Sequence, residues 1–411
     1  MAHIAERRVS GNPELIQEIV DEIRVAGAIP FARFMELALY HPTFGYYTSR
    51  PTTDAAPASG EERIGFSGDF YTSSDVHPLL GHALARQVRQ IDDLLGRPDP
   101  FTLIEQGGGK GLLARDLLSA LEKSTGRADS LLARLQYVFI ERSPAMRAAQ
   151  QRTLATWREP GRSPSLTWLD DTRDLADNSV CGVFFSNELV DAFPIHRLVM
   201  QDGRPKELFV TWRDGGFVEE LRDLSSPALE AHLARLARHD ARLADGAQGE
   251  VNLAALEWMR DVARSMARGV VITIDYGHTA QDIYGPQRRR GTLLCYSRHK
   301  ASEAFYERVG EQDMTAHVDF TSLAAAGEEA GLRTTGFTNQ MSFLIGLGAE
   351  LMLAALPPDS DEFRKAVELL HPNGMGKTFK VLVQHKGLDA PQIDGLAYKA
   401  FFGAALTGAR G

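Results

Sequence analysis

The sequence predicts an α/β fold built on a mainly parallel sheet with helices on both faces. Three observations carry this. From residue 101 onward, short apolar runs recur at 101–105 (FTLIE), 136–141 (QYVFIE), 165–169 (SLTWL), 180–186 (VCGVFFS) and 269–275 (GVVITID). Helical patterns, "GLLARDLLSALEK" and "SPAMRAAQQRTLATW", fill the first two intervals. Strands of four to eight apolar residues alternating with helices are buried on both faces, which is the pattern of a parallel sheet. A glycine-rich turn, "EQGGGKG" (105–111), joins the first run to the first helix. Late runs at 334–340 and 379–384, joined through helices near 347–370, suit an antiparallel edge.

The flanking elements follow from local chemistry. "NPELIQEIVDEIRVAG" places Asn12 at an N-cap and Pro13 in the first turn of a helix. "IPFARFMELALYHPTFGYYTS" adds a second helix and an aromatic turn, and the polar stretch 51–65 reads as a mobile surface loop. In "FSGDFYTSSDVHPLLG", Asp75 and Pro78 suit the start of a helix over 78–95. Between 186 and 269 the alternation breaks into three antiparallel strands joined at "DGRP" and "DGG", followed by helices around 228–243 and 251–268. Asp319 suits the N-cap of a helix opening at "HVDFTSLAAAGEEAG".

Composition narrows the function. The 411 residues are 44% hydrophobic and 24% charged with a net charge of −9, which argues against nucleic acid and anionic membrane as partners. Cys181 and Cys295 lie in apolar runs and read as small buried hydrophobes. The first residues lack an apolar h-region and no apolar run approaches the ~20 residues of a membrane span, so the expectation is a cytoplasmic protein. Histidine and cysteine show no metal-ligand spacing, and no metal is expected.

The glycine turn fails both common nucleotide fingerprints at a defined position. Counting G-x-G-x-x-G from Gly107, the last place is Leu112, and a P-loop reading puts Gly111 where a hydroxyl residue belongs. "HPNGMGKTF" contains GKT but has His371 where a P-loop needs glycine. Glu105 discriminates further. A pyrophosphate there meets a carboxylate at a Coulomb cost of kcal/mol order, whereas S-adenosylmethionine has no phosphate and carries an ammonium and a sulfonium. Glu141 ends the next strand, where a carboxylate takes both ribose hydroxyls. Ser143 and Pro144 then open a helix. In "WLDD", Asp170 or Asp171 suits the adenine amino group, and both equally suit helix caps. Glu105 alone also reads as a partly exposed strand-end acid; three spaced glycines and Glu141 beside it favour the cofactor.

The residues resemble the MidA-like family of S-adenosylmethionine-dependent methyltransferases, whose mitochondrial members are arginine methyltransferases needed for respiratory complex I assembly. The resemblance runs over nearly the whole chain. It is carried by "FMELALYHPTFGYY" (34–47), "GDFYTSSDVHPLLG" (68–81), "EQGGGKGLLARDLL", "YVFIERSP", "SNELVDAFPIHRL" (186–198), "IDYGHTAQDIYGPQRRRGTLLCY" (274–296), "QDMTAHVDFTSL" (312–323) and "MGKTFKVL" (375–382). Lys377 stands where the family has an acid. The resemblance implies a Rossmann-like class I methyltransferase with a seven-stranded sheet, a helical N-terminal extension and a β-rich and helical insertion. Residues 1–97 would form the extension and cofactor-site loop, and 98–411 the methyltransferase domain with its insertion at about 196–266. It also makes Gly68, Asp69 and Thr72 walls of the cofactor site and implies transfer to an arginine of a partner protein.

Methyl transfer from a sulfonium is an in-line displacement, so the protein positions the nucleophile and removes a proton. Carboxylates hold a guanidinium fork in bidentate pairs. Glu188 and Asp191, in "NELVDAFP" at the carboxyl end of the 180–186 strand, are the candidates for grasping the arginine, with Asn187 on the methionine part of the cofactor. Glu188 and Asp191 also read as caps of the following turn or as holders of Arg197. Asp275, Tyr276 and His278 in "DYGHT" end the fifth strand, and His317 suits the substrate cleft. Two other functions stay open: methylation of a small molecule or another side chain, and an assembly factor that binds S-adenosylmethionine without turnover. A homodimer is equally open.

Overall fold

The computed structural model describes residues 9–49, 72–123, 131–159, 161–372 and 374–398. The loop expected at 51–65, Gly68 and Asp69 lie outside the described residues. The chain divides into two compact units, one of residues 1–70, 190–256 and 278–322, the other of 71–189, 257–277 and 323–411. These units cut across the division of 1–97 from 98–411: the helix Leu79–Leu94 belongs to the second unit and the helix Pro13–Ala26 to the first.

The second unit holds the sheet. Its strands are β1 (Phe101–Gln106), β2 (Leu135–Ile140), β3 (Ser165–Leu169), β4 (Val180–Asn187), β5 (Met266–His278), β6 (Arg333–Asn339) and β7 (Phe379–Lys386). The sheet has eight strands: the seven expected ones lie on the path β6-β7-β5-β4-β1-β2-β3, and a further two-residue strand, Val318–Asp319, lies off it. Strands β1 to β5 are parallel, and β7 is antiparallel to both β5 and β6. Leu103 and Ile104 point to opposite faces of β1 and both are fully buried, because helices cover both sides. β3, at the edge, alternates, with Ser165 and Thr167 exposed.

The strand order reverses at β1 and β4, which lead to opposite flanks of the sheet. Ligands of open α/β sheets bind outside the carboxyl ends of the strands at such a reversal. The ends of β1, β2 and β4 carry Glu105, Glu141 and Asn187, and a core of Leu84, Val88, Phe101, Leu117, Phe139 and Val183 backs them.

The first unit contains a five-stranded sheet. Strands Arg204–Arg213, His196–Gln201 and Gly216–Arg222 form the expected antiparallel hairpins. Their two-residue loops, Asp202-Gly203 and Asp214-Gly215, take positive φ at every position (50°, 71°, 50° and 77°). Primed turns of this kind match the twist of the flanking strands. Two members were not foreseen: Gln248–Val251 pairs with 196–201, and Ile29–Pro30 pairs antiparallel with 204–213 through Ile29 and Val210. Phe31, Phe34, Phe217 and Tyr306 form this unit's aromatic core, with Phe34 5.3 Å from Phe217 and 5.1 Å from Tyr306. Asn12 Oδ1 accepts from Leu15 N at 2.9 Å, the expected N-cap. Among the described residues no helix is long and apolar enough to cross a membrane.

Candidate active site

The turn after β1 is glycine-rich because of its backbone angles. Gly107, Gly109 and Gly111 take φ of +73°, +50° and +80°, a region that costs other residues roughly 1–2 kcal/mol each. The turn is pinned at its start by Gly107 N donating to Ile140 O (3.2 Å) and closed by Gly111 N donating to Gly108 O (2.8 Å). A Cβ at Gly108 would lie 3.0 Å from Glu105 Cδ, and one at Gly111 3.2 Å from Gln150 Cα. A Cβ at Gly109 would meet nothing within 4 Å among the described residues, so that side of the turn is open to a ligand.

Glu105 lies beneath this turn and is only 2% exposed, which removes the reading of a partly exposed strand-end acid. Tyr137 donates to its Oε2 at 2.6 Å. Burial pushes the Glu105 carboxyl up to about 7; the Tyr137 bond works against that rise and the nearby Glu141 charge adds to it.

Glu141 is held by two donors. Ser143 N donates to Oε1 (2.9 Å) and Gln150 Nε2 to Oε2 (3.2 Å), yet burial still raises its carboxyl to about 7. Ser143 is also the expected N-cap, its Oγ accepting from Met146 N at 3.4 Å. Asp170 ion-pairs with Arg147. Asp171 is bonded by Arg142 and by Arg173, whose side chain chiefly holds its carboxyl well below the usual range, and it caps the turn Thr172–Asp174.

At the end of β4, Asn187 Nδ2 donates to Glu188 Oε1 at 3.0 Å, and Ser73 N donates to the same oxygen at 3.0 Å. Glu188 therefore caps the short helix Ser73–Val76. Arg197 pairs with Glu219. Among the described residues Asn187 Oδ1 is buried without a hydrogen-bond partner, an acceptor available to a ligand. Thr72 and Asp75 form a capping box on Ser73–Val76, with Thr72 N donating to Asp75 Oδ2 at 3.0 Å. Asp75 thus serves this helix; the next one runs Leu79–Leu94 with Pro78 before it and no side-chain cap. Lys110 of the glycine turn pairs with Asp75 at 3.5 Å. Asp275 is buried at the end of β5 and accepts from Leu189 N at 3.2 Å.

In the first unit, Asp191 is buried in the turn Val190–Ala192, whose Ala192 O accepts from Tyr40 OH at 3.0 Å. Tyr47 donates to Asp313 at 2.7 Å, and burial raises its phenol well above the usual value, with the charges of Asp313 and Asp191 adding to the rise. His278 Nε2 lies 2.8 Å from Arg288 Nη2 and accepts from it; its centroid is 5.3 Å from that of His317.

The structure thus gathers Glu105, Gly107, Gly109 and Glu141 around one turn, and Thr72, Asn187 and Glu188 around one short helix. Sequence reading overlooked Tyr137, Gln150 and Trp168. Helical phase from the Ser143 cap sets Arg147 and Gln150 three residues apart on one face, the only sequence-level pointer to Gln150.

Residues 83–338, more than half of the chain, match the family described as S-adenosyl-L-methionine-dependent methyltransferases. The chain belongs to this family. It is an S-adenosylmethionine-dependent methyltransferase of the MidA-like group, as the motifs implied. A mitochondrial protein arginine methyltransferase NDUFAF7 homolog of Drosophila melanogaster is 26% identical, over 94% of this chain and 88% of that one. The Homo sapiens protein arginine methyltransferase NDUFAF7, mitochondrial, is 24% identical over 91% and 84%. A crystal structure of a Burkholderia thailandensis protein bound to S-adenosyl-homocysteine is 34% identical, with a TM-score of 0.79 over 93% of this chain and 94% of that one. The expected cytoplasmic location is overturned by these relatives, which are named as mitochondrial proteins.

Proposed function

We propose that this methyltransferase acts on an arginine side chain of a partner protein. The observation that carries the reading is similarity over nine-tenths of the chain to proteins named as protein arginine methyltransferases. S-adenosylmethionine, when bound, supplies a methyl group on a positively charged sulfur. The chain's own residues bind and orient.

Gly107 and Gly109 let the backbone approach the cofactor, Glu141 takes the ribose hydroxyls, and Glu105 supplies negative potential beneath the turn. Asn187 Oδ1, buried and without a partner among the described residues, fits the cofactor's ammonium. Asp170, which pairs with one arginine, Arg147, where Asp171 meets two, Arg142 and Arg173, is the acid for the adenine amino group. Thr72 walls the site. Glu188 and Asp191 take the guanidinium, orient one nitrogen and accept its proton.

The test is transfer of isotopically labelled methyl to proteins, followed by complete hydrolysis and separation of amino acids. Label in methylarginine is the expected result. Label confined to small molecules or to another amino acid contradicts the reading.

A further inference from the structure

We infer that Gln150 is a positioning residue for the cofactor: one buried amide ties the glycine turn to Glu141 and to Trp168, so that turn and carboxylate are held as one unit. Gln150 is fully buried. Its Nε2 donates to Gly109 O at 3.0 Å and to Glu141 Oε2 at 3.2 Å, and its Oε1 accepts from Trp168 Nε1 at 2.9 Å. The two amide hydrogens thus meet two acceptors and the amide oxygen meets one donor. The reverse orientation would set oxygen against two acceptors and NH2 against an indole N–H, so the partners dictate the orientation.

Few side chains do this. Glutamate would place a carboxylate against Glu141 and the Gly109 carbonyl, and lysine has no acceptor for Trp168. Trp168 is itself fixed, stacked on Phe139 with ring centroids 5.3 Å apart and planes 9° apart. The chain of contact therefore runs from β3 through Gln150 to the residue in the turn whose outer side is open.

The inference rests on Glu141 taking the ribose. A carboxylate accepts two hydroxyl hydrogens only when ionised, and the Gln150 bond favours the ionised form of Glu141. The other groups facing Glu141 are Glu105 from β1, Arg147 from its own following helix, and the adjacent Arg142. Arg147 and Arg142 also pair with Asp170 and Asp171 at the end of β3. Removing Gln150 changes none of these charges.

The experiment is calorimetric titration of S-adenosylhomocysteine into the full chain between pH 5.5 and 8.5, for wild type, Gln150→Leu, Trp168→Phe, Glu141→Gln and the Gln150→Leu/Glu141→Gln pair. Gln150→Leu is expected to weaken binding about tenfold at pH 7 and to move the pH of half-maximal affinity up by about one pH unit. Trp168→Phe, which keeps Gln150 but releases its anchor, moves the midpoint the same way by less. The cofactor KM rises more than kcat falls. In the Glu141→Gln background, Gln150→Leu costs markedly less, since the two act through one contact. If Glu141→Gln alone leaves affinity intact, the ribose role fails. If Glu141→Gln weakens binding but neither Gln150→Leu nor Trp168→Phe moves the pH midpoint, the positioning role of Gln150 is overturned.

Discussion

Tyr137 and Glu105 share a 2.6 Å hydrogen bond between neighbouring strands, with the tyrosine fully buried and the glutamate 2% exposed. The phenol donates to a carboxyl whose burial raises it to about 7. Tyr137→Phe deletes that donor without changing the ring's packing on Phe139. The expected cost is about 1–3 kcal/mol of folding stability, read from chemical denaturation. The Glu105 carboxyl moves further up, so cofactor affinity at pH 7 falls and its pH midpoint rises.

Glu105 and Glu141 both sit near 7 in the fold against an ordinary 4.5, and this fixes the sign of a pH effect. A carboxyl raised by folding holds its proton more tightly in the native state. Its contribution to stability is complete below pH 4.5 and is lost as pH rises to about 7, at a rate of up to about 1.4 kcal/mol for each pH step of one. The cationic cofactor prefers the ionised pair. Thermal stabilisation by saturating S-adenosylmethionine should therefore grow from pH 5.5 to 8, and a constant or falling stabilisation would contradict the assignment.

Gly109 and Gly96 make a matched pair. Both have positive φ, +50° and +78°, and a Cβ at either meets nothing within 4 Å among the described residues. Alanine at each should cost a similar backbone strain of roughly 1–2 kcal/mol. Only Gly109→Ala should lower cofactor affinity, by more than tenfold, when both variants are titrated under the same conditions.

Glu188 allows capping and catalysis to be separated. Its Oε1 accepts from Ser73 N and Asn187 Nδ2, and a glutamine carbonyl can do the same. Glu188→Gln should keep stability within about 0.5 kcal/mol yet reduce kcat by about a hundredfold, the low end of general-base catalysis. Glu188→Ala should lose stability as well. Full turnover in Glu188→Gln would leave the carboxylate a cap alone.

The sheet was legible because each strand is short, apolar and bounded by polar turns; the five parallel runs and the two late ones all fall on observed strands. The hairpins were legible because Asp-Gly pairs specify primed turns. Ile29–Pro30 and Gln248–Val251 were not, since strands of two and four residues exist only through distant partners. The site divides in the same way. Glu105, Glu141 and Asn187 announce themselves as polar residues at the ends of apolar runs. Gln150 is an ordinary helical glutamine until the fold brings Gly109, 41 residues away, to its amide. The Glu188 cap depends on Ser73, 115 residues distant, and no local spacing encodes it.

The most direct test of the cofactor site is a crystal structure of this chain with S-adenosylhomocysteine. The expected result is ribose hydroxyls on Glu141, the ammonium on Asn187 Oδ1 and the cofactor backbone passing over Gly109. A cofactor whose ribose and ammonium meet neither Glu141 nor Asn187 would contradict it.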